Sequence, residues 1–164
     1  MNRFEWVNPS SVEQAVAQLG AGAVVKAGGI DLMDLLKEHL VEPTRLVNLK
    51  TVRGLDHVTD GDDGLRVGPL VTLAQLADHD AVRRRYRALA EAAGHAATPQ
   101  IRNAATLGGN LLQRPRGWYF RSEAFLCKKK GGDSCFAVAP TGENAYHAIF
   151  DNRICAAVHP SATA

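Results

Sequence analysis

Thr98-Pro99-Gln100-Ile101-Arg102-Asn103-Ala104-Ala105-Thr106-Leu107-Gly108-Gly109-Asn110 is the stretch around which the chain is organised. Its composition is not that of a core element. The residue before a proline is pushed out of the helical region, so Thr98-Pro99 breaks whatever precedes it. Gly108 and Gly109 let the backbone turn sharply and approach a ligand with no Cβ in the way. Thr106 and Asn110 flank them with small hydrogen-bonding side chains. Such a loop can offer backbone N–H groups, a hydroxyl and an amide to an anion. The plainer reading is a tight surface turn.

A second stretch favours the anion. Lys26-Ala27-Gly28-Gly29-Ile30-Asp31-Leu32 follows the apolar run Ala23-Val24-Val25 and precedes a helical pattern from Leu32 to Leu40. Strand, glycine pair, helix is the order a phosphate-cradling loop requires. The glycines permit close approach, and the helix N-terminus adds partial positive charge. The spacing is neither GxGxxG nor the P-loop, so the mechanics of neither transfer.

The pair AGGIDL (Ala27 to Leu32) and TPQIRNAATLGGN (Thr98 to Asn110) resembles the FAD-binding, or medium, subunits of the xanthine dehydrogenase family of molybdenum hydroxylases. Members of that family read AGGTDL and SPQIRNVATLGGN at these places, and the resemblance covers nearly the whole chain. It implies an α+β, two-lobed FAD-binding fold of the molybdopterin dehydrogenase type. It also implies that both loops hold the flavin pyrophosphate. The first contributes Lys26, Ala27, Gly28, Gly29, Ile30, Asp31 and Leu32; the second contributes Thr106, Gly108, Gly109 and Asn110. Ile30 stands where the family has Thr, which removes a hydroxyl and leaves the backbone donors. Family members continue past His159-Pro160-Ser161 with an Asp, further strands and a C-terminal domain, whereas here Ala162-Thr163-Ala164 follow. The expected fold is therefore C-terminally truncated. Residues 1–54 are expected to form an N-terminal α/β lobe and 55–164 an incomplete second lobe, with a cysteine-containing insertion at 113–155.

Composition is consistent with a globular domain. The 164 residues are 46% hydrophobic and 22% charged, with a net charge of +2, so the total gives no strong preference for polyanions or membranes. No apolar run is long enough to span a bilayer, and Met1 to Trp6 do not make a signal peptide. An odd number of cysteines, three, argues for a reducing compartment and a cytoplasmic location. Residues 1–97 carry eleven Lys/Arg and thirteen Asp/Glu; residues 98–164 carry eight and four. The positive excess thus lies with the second glycine loop. Nucleic acid stacking on Trp118, Tyr119 and Phe120 is the weaker use of that charge, since no nucleic-acid motif accompanies it.

Periodicity places further elements. Phe4 to Val7 reads as a strand, and Ser10 with Glu13 as a capping box opening a helix whose face is Val12, Ala15, Val16 and Leu19. Ala23 to Ala27 reads as a buried strand. Leu32, Leu35, Leu36 and Leu40 line a helix. Arg45 to Leu49 reads as a strand parallel to the first. Residues 55–59 and 65–68 flank Asp60-Gly61-Asp62-Asp63-Gly64 as a hairpin with a solvated turn; the ligand spacing of a calcium loop is absent. Thr72 with Gln75 is a second capping box. Asp80 is expected to cap one longer helix, with Val82, Tyr86, Leu89 and Ala93 inside and Gly94 as its stop. Arg83, Arg84, Arg85 and Arg87 on that helix read as a solvated face, or alternatively as a docking face for a partner subunit.

Cys127, Cys135 and Cys155 form no CxxC pair, which disfavours structural zinc, and on spacing alone they read as three separate thiols. Between the first two lies the basic loop Lys128-Lys129-Lys130-Gly131-Gly132. Residues 113–121 and 142–150 resemble a sub-branch of the family, the flavoprotein subunits of 4-hydroxybenzoyl-CoA reductase and of bacterial aldehyde oxidoreductases. That branch binds an extra [4Fe-4S] cluster through four cysteines. Cys127, Cys135 and Cys155 match three of them, and the fourth position is Gly117. The resemblance leaves open a [3Fe-4S] cluster, a [4Fe-4S] cluster with a non-cysteine ligand, or an empty site. His147 reads first as a hydrogen-bonded structural residue, with ligand or base as the alternative.

The function implied is that of a flavoprotein subunit passing electrons from iron–sulfur centres through FAD to an external acceptor, with no catalytic acid or base on this chain. Implied partners are a molybdopterin-binding large subunit and a [2Fe-2S] small subunit, with no nucleic acid and no membrane. The alternative is a truncated, non-catalytic member that binds no flavin and serves only as a partner-binding module.

Overall fold

A computed structural model describes residues 1–150 and 155–164. β1 (Glu5–Val7), α1 (Val12–Ala17), β2 (Ala23–Lys26), α2 (Ile30–Lys37) and β3 (Arg45–Asn48) form a small α/β unit. Its strands are all parallel in the order β1-β3-β2, with Leu46 opposite both Trp6 and Val24. Parallel neighbours need crossovers, which α1 and α2 supply. β3 is central, and Leu46, Val47 and Asn48 are buried on it.

Three expectations for this unit fail. The 23–27 segment is an edge strand ending at Lys26 and pairing only with β3, so Val25 is left exposed. The Ser10/Glu13 capping box does not form: Ser11 is the N-cap, its hydroxyl accepting from Gln14 N–H, and Gln14 Oε1 accepts from Ser10 N–H and Oγ–H. Of the expected apolar face of α1, only Ala15 is buried, against Val47 and Val52; Val12, Val16 and Leu19 are exposed. A helix of six residues over a three-stranded sheet has room for little more.

The second part opens with the antiparallel hairpin β4 (Val58–Gly61) and β5 (Gly64–Val67), turning at Asp62-Asp63. α3 (Leu73–Asp78) carries the expected Thr72/Gln75 capping box. The single helix expected from Asp80 is two, α4 (Asp80–Arg85) and α5 (Arg87–His95), and His79, not Asp80, is the N-cap of α4. Tyr86 interrupts them at φ −130°, ψ 50°. Its ring packs on the core of Val71, Leu73, Leu76, Val82, Ala90 and Ala93, and its hydroxyl donates to Asp60 Oδ1. That tertiary contact outweighs the propensity to continue one helix. The arginine run is matched largely by the chain's own acids, in the pairs Arg84–Asp80, Arg85–Asp60 and Arg87–Glu91.

The architecture is α+β, as expected. The Thr98–Asn110 stretch, however, is not an open loop. Thr98 caps α6 (Pro99–Ala104) with proline in its first turn, and Thr106 caps α7 (Leu107–Leu111), which contains both glycines. Proline just inside a helix start is favourable because its missing N–H has no helical partner there. α8 (Trp118–Arg121) begins the cysteine segment. Among the described residues no helix is long and apolar enough to cross a membrane.

Candidate functional site

The two glycine motifs meet. A Cβ on Gly28 would lie 2.2 Å from the carbonyl oxygen of Ala104 and 3.2 Å from Ala105 Cα, so the absent side chain lets α6 close onto the first motif. Gly29 follows in the left-handed region at φ 86° and is the N-cap of α2 with no side-chain cap. The first helical N–H groups, of Ile30, Asp31 and Leu32, are donors that a helix leaves without intrahelical partners. Together with the helix dipole, such free donors at the carboxyl ends of parallel strands are able to receive an anion.

Lys26 ends β2 beside this point. Burial first, and then repulsion from Lys50, hold its ammonium below the ordinary lysine value. Its Nζ lies 5.5 Å from the Trp6 ring centroid, and neither Lys26 nor Lys50 has an acidic partner among the described residues. The Lys26 side chain also stands against this N-terminus, its Cε 3.0 Å from where a Cβ on Gly29 would lie, and a cation there suits an anion. Ala27 and Leu32 are half-buried flanks of this turn, and Ile30 is partly exposed at the first helical position.

In the second motif most backbone donors are already engaged. Leu107 N–H donates to Val71 O, Gly108 N–H to Pro69 O at 3.0 Å, and Gly109 N–H to the buried Thr106 hydroxyl at 3.2 Å. A Cβ on Gly108 would strike Pro69 at 2.9 Å, so this glycine serves close packing. The anion-facing role expected for these amides is not what their hydrogen bonds show. Asn110 remains: its Oδ1 accepts from the Ser161 and Thr163 hydroxyls, the latter at 2.7 Å, which leaves the Nδ2 donors.

Asp31 ties the first motif to the cysteine segment. Its carboxylate accepts from Arg114 N–H at 2.9 Å and from Arg121 Nη2 at 2.7 Å, while Arg121 Nη1 reaches Glu38 at 3.2 Å. Burial works against the Arg121 charge, but the hydrogen bonds to Asp31 and Glu38 more than offset it, so its pKa is raised. Below this pair, Leu35 of α2 packs on Phe120 and Cys127.

Cys127, Cys135 and Cys155 line one small pocket with Gly117, Tyr119 and His147. The thiols are unpaired, Cys127 buried and the other two half-buried. The void is about 20 Å³, and among the described residues no three metal-binding side chains converge to ligand spacing. His147 is held by its backbone, its N–H donating to Asn144 O at 2.9 Å, while its buried ring Nδ1 has no hydrogen-bond partner among the described residues. Trp118 and Tyr119 face each other and His147 edge-on or tilted, and Phe120 is buried. The run is thus packed together rather than splayed for stacking on bases. A wide open cavity of about 620 Å³, lined by Leu112, Arg114, Lys129 and His159, adjoins the pocket through Cys155.

A glycine-capped helix N-terminus at the carboxyl edge of a short parallel sheet, closed from the other side by a second glycine motif, defines a dinucleotide-cradling class of domain. Residues 2–162 match the FAD binding domain in molybdopterin dehydrogenase, and the chain belongs to that family. It is similar to the aldehyde oxidoreductase FAD-binding subunit PaoB of Escherichia coli, 41% identical over 96% of this chain and 50% of that one. It is also similar to the nicotine 6-hydroxylase medium subunit of Paenarthrobacter nicotinovorans, 36% identical over 66% of this chain and 39% of that one. Among solved structures, quinoline 2-oxidoreductase from Pseudomonas putida 86 superposes with a TM-score of 0.65 at 31% identity, covering 67% of this chain and 39% of that one. The chain spans about half the length, or less, of these relatives.

Proposed function

We propose that the chain is the flavin-holding part of a multi-subunit oxidoreductase of the molybdenum hydroxylase type. Bound FAD would supply the redox chemistry there, taking electrons from iron–sulfur centres and passing them to an external acceptor. The observation that carries this reading is the α2 N-terminus, with Gly29 left-handed and the Lys26 side chain against it. These groups would bind the pyrophosphate. Ala27, Gly28, Asp31 and Leu32 hold the turn, and Ile30 contributes its amide. Thr106, Gly108 and Gly109 cap α7 and pack it on Pro69, and Asn110 offers its amide to the ligand. No residue of the chain is assigned a catalytic acid or base role.

The partners proposed are a molybdopterin-binding large subunit and a [2Fe-2S] small subunit, in the cytoplasm. A second cofactor, an iron–sulfur cluster at Cys127, Cys135 and Cys155, belongs to the same reading. Its support is the chemistry of the donors lining one pocket, and the match to the E. coli subunit, which at 96% of this chain takes in the cysteine segment.

Titration of the full chain with FAD and with FMN tests the reading. One FAD per chain, released as a fluorescent flavin on denaturation, is expected, with FMN binding far more weakly. Absence of FAD binding, both alone and after co-expression with molybdopterin and [2Fe-2S] subunits, would leave a partner-binding module in its place.

A further inference from the structure

Asp31 is the acid in the first turn of α2, directly after Ile30. The helix dipole stabilises a carboxylate there. That carboxylate also draws on the same partial positive charge that would receive an anion, and it repels the anion. A pyrophosphate at this N-terminus and an uncompensated Asp31 are therefore in conflict.

The compensating charge comes from the cysteine segment, 90 positions later in the chain. Arg121 Nη2 donates to Asp31 Oδ1 at 2.7 Å, Arg114 N–H donates to Oδ2 at 2.9 Å, and Arg116 Nη2 stands 4.0 Å from Oδ1. The Asp31 side chain is 14% exposed and that of Arg121 13%, so solvent ions screen the pair little. Arg121 also builds the turn that presents the Arg114 amide, since its Nε donates to Pro115 O at 2.8 Å and its Nη2 to Arg114 O at 3.4 Å. Its Nη1 reaches Glu38, the C-cap of α2, at 3.2 Å. At the rise of an α-helix, Glu38 lies roughly 10 Å down the axis from Asp31. Of the two acids that Arg121 holds, only Asp31 stands at the end proposed to meet the ligand.

We propose that Arg121 is a positioning residue for flavin binding, which cancels the Asp31 carboxylate and so leaves the α2 N-terminus able to receive the pyrophosphate. The inference rests on the flavin reading above. It makes the cysteine segment part of the flavin site without a contact between the two. Linkage then runs both ways: a docked segment favours FAD, and bound FAD favours the docked segment.

The test is titration of the full chain and its variants with FAD at low and at high salt, with near-ultraviolet circular dichroism to check folding. Arg121→Gln keeps a polar side chain without the charge and should bind FAD on the order of tenfold more weakly than the parent. The deficit should shrink as salt rises, because repulsion between like charges is screened. Arg121→Lys, which keeps the charge and loses the planar fork, should recover part of the affinity. Asp31→Asn in the Arg121→Gln background should recover it too, although it restores no ion pair to the fold. FAD bound by Arg121→Gln as tightly as by the parent overturns the inference. So does a deficit that salt leaves unchanged and Asp31→Asn does not relieve, which makes Arg121 structural only. If Arg121→Gln does not fold, Asp31→Asn alone decides: with Arg121 kept it should bind FAD at least as tightly as the parent, and weaker binding overturns the inference. A parent that binds no FAD, alone or with partner subunits, overturns the flavin reading itself, and the inference with it.

Discussion

Gly28 and Ala104 are pressed together so closely that a Cβ on Gly28 would lie 2.2 Å from the Ala104 carbonyl oxygen. The glycine that resembles a phosphate-contact residue in the sequence is a hinge-pin between two motifs. Gly28→Ala should therefore destabilise the fold by about 1–3 kcal/mol through overpacking, and lose flavin as a consequence. Gly29→Ala should behave differently. The left-handed backbone costs about 1–2 kcal/mol, and the new methyl meets only the flexible end of Lys26, at 3.0 Å. Thermal unfolding beside FAD titration separates the two. Equal melting temperatures for Gly28→Ala and the parent would refute the packing role.

The strand, glycine pair and helix of 23–37 were legible because they follow one another locally. The hairpin and the Thr72 cap were legible for the same reason. What the sequence hid was tertiary. Ser11 took the cap in place of Ser10, and Tyr86 broke a helix to reach Asp60. Thr98 to Asn110 looked like a loop because glycine and proline are poor helix formers, yet Thr98 and Thr106 cap two short helices in it. The engagement of the Gly108 amide by Pro69 depends on a residue far away in sequence. Asp31–Arg121 carries no local signal either. The Gly117–His147 approach emerges only when 147 is folded back beside 157.

Lys26 makes a trade between stability and binding. Its pKa is lowered in the folded state, so the unfolded chain binds its proton more tightly. Stability then rises as pH climbs from the lowered value towards the ordinary lysine value. Lys26→Met should abolish this alkaline gain, leave the fold at least as stable at neutral pH, and weaken FAD binding. FAD binding to the parent should also weaken with salt more steeply than to the variant. Unchanged FAD affinity in Lys26→Met would remove this lysine from the site.

Arg121 sits between Asp31 and Glu38 with only 13% of its side chain exposed. Arg121→Ala removes the charged hydrogen bonds to Asp31 and Glu38 and should cost about 1.5–3 kcal/mol. It should also loosen the cysteine segment from α2, which limited proteolysis would report as new cleavage between 114 and 135. Cleavage no faster than in the parent would mean that the Leu35–Phe120–Cys127 packing alone holds the segment.

Asp60 joins the hairpin to the helices, accepting from Arg85 at 2.7 Å and from Tyr86 at 3.3 Å. Asp60→Ala should lower stability by about 1–2 kcal/mol and leave FAD affinity unchanged, since the proposed site is built on α2. In the double-mutant cycle with Arg85→Ala the losses should be less than additive. Full additivity would show that the pair contributes nothing.

Asn110 separates the structural role of the second motif from its ligand role. Its Oδ1 holds Ser161 and Thr163, and its Nδ2 donors are turned to no described protein group. Asn110→Asp keeps both hydroxyl contacts, and a carboxylate accepts them at least as strongly as an amide does. The fold should therefore be as stable as the parent at neutral pH. The substitution deletes the amide donor and sets a negative charge where the proposed pyrophosphate would lie. Loss of one hydrogen bond to a charged group is worth about 1.5–3 kcal/mol, roughly a tenfold to hundredfold fall in affinity. Asn110→Ala should do the opposite to the fold, releasing the Ser161–Thr163 segment and lowering the melting temperature. FAD affinity held in Asn110→Asp would confine Asn110 to anchoring that segment and leave the α2 N-terminus as the anion site.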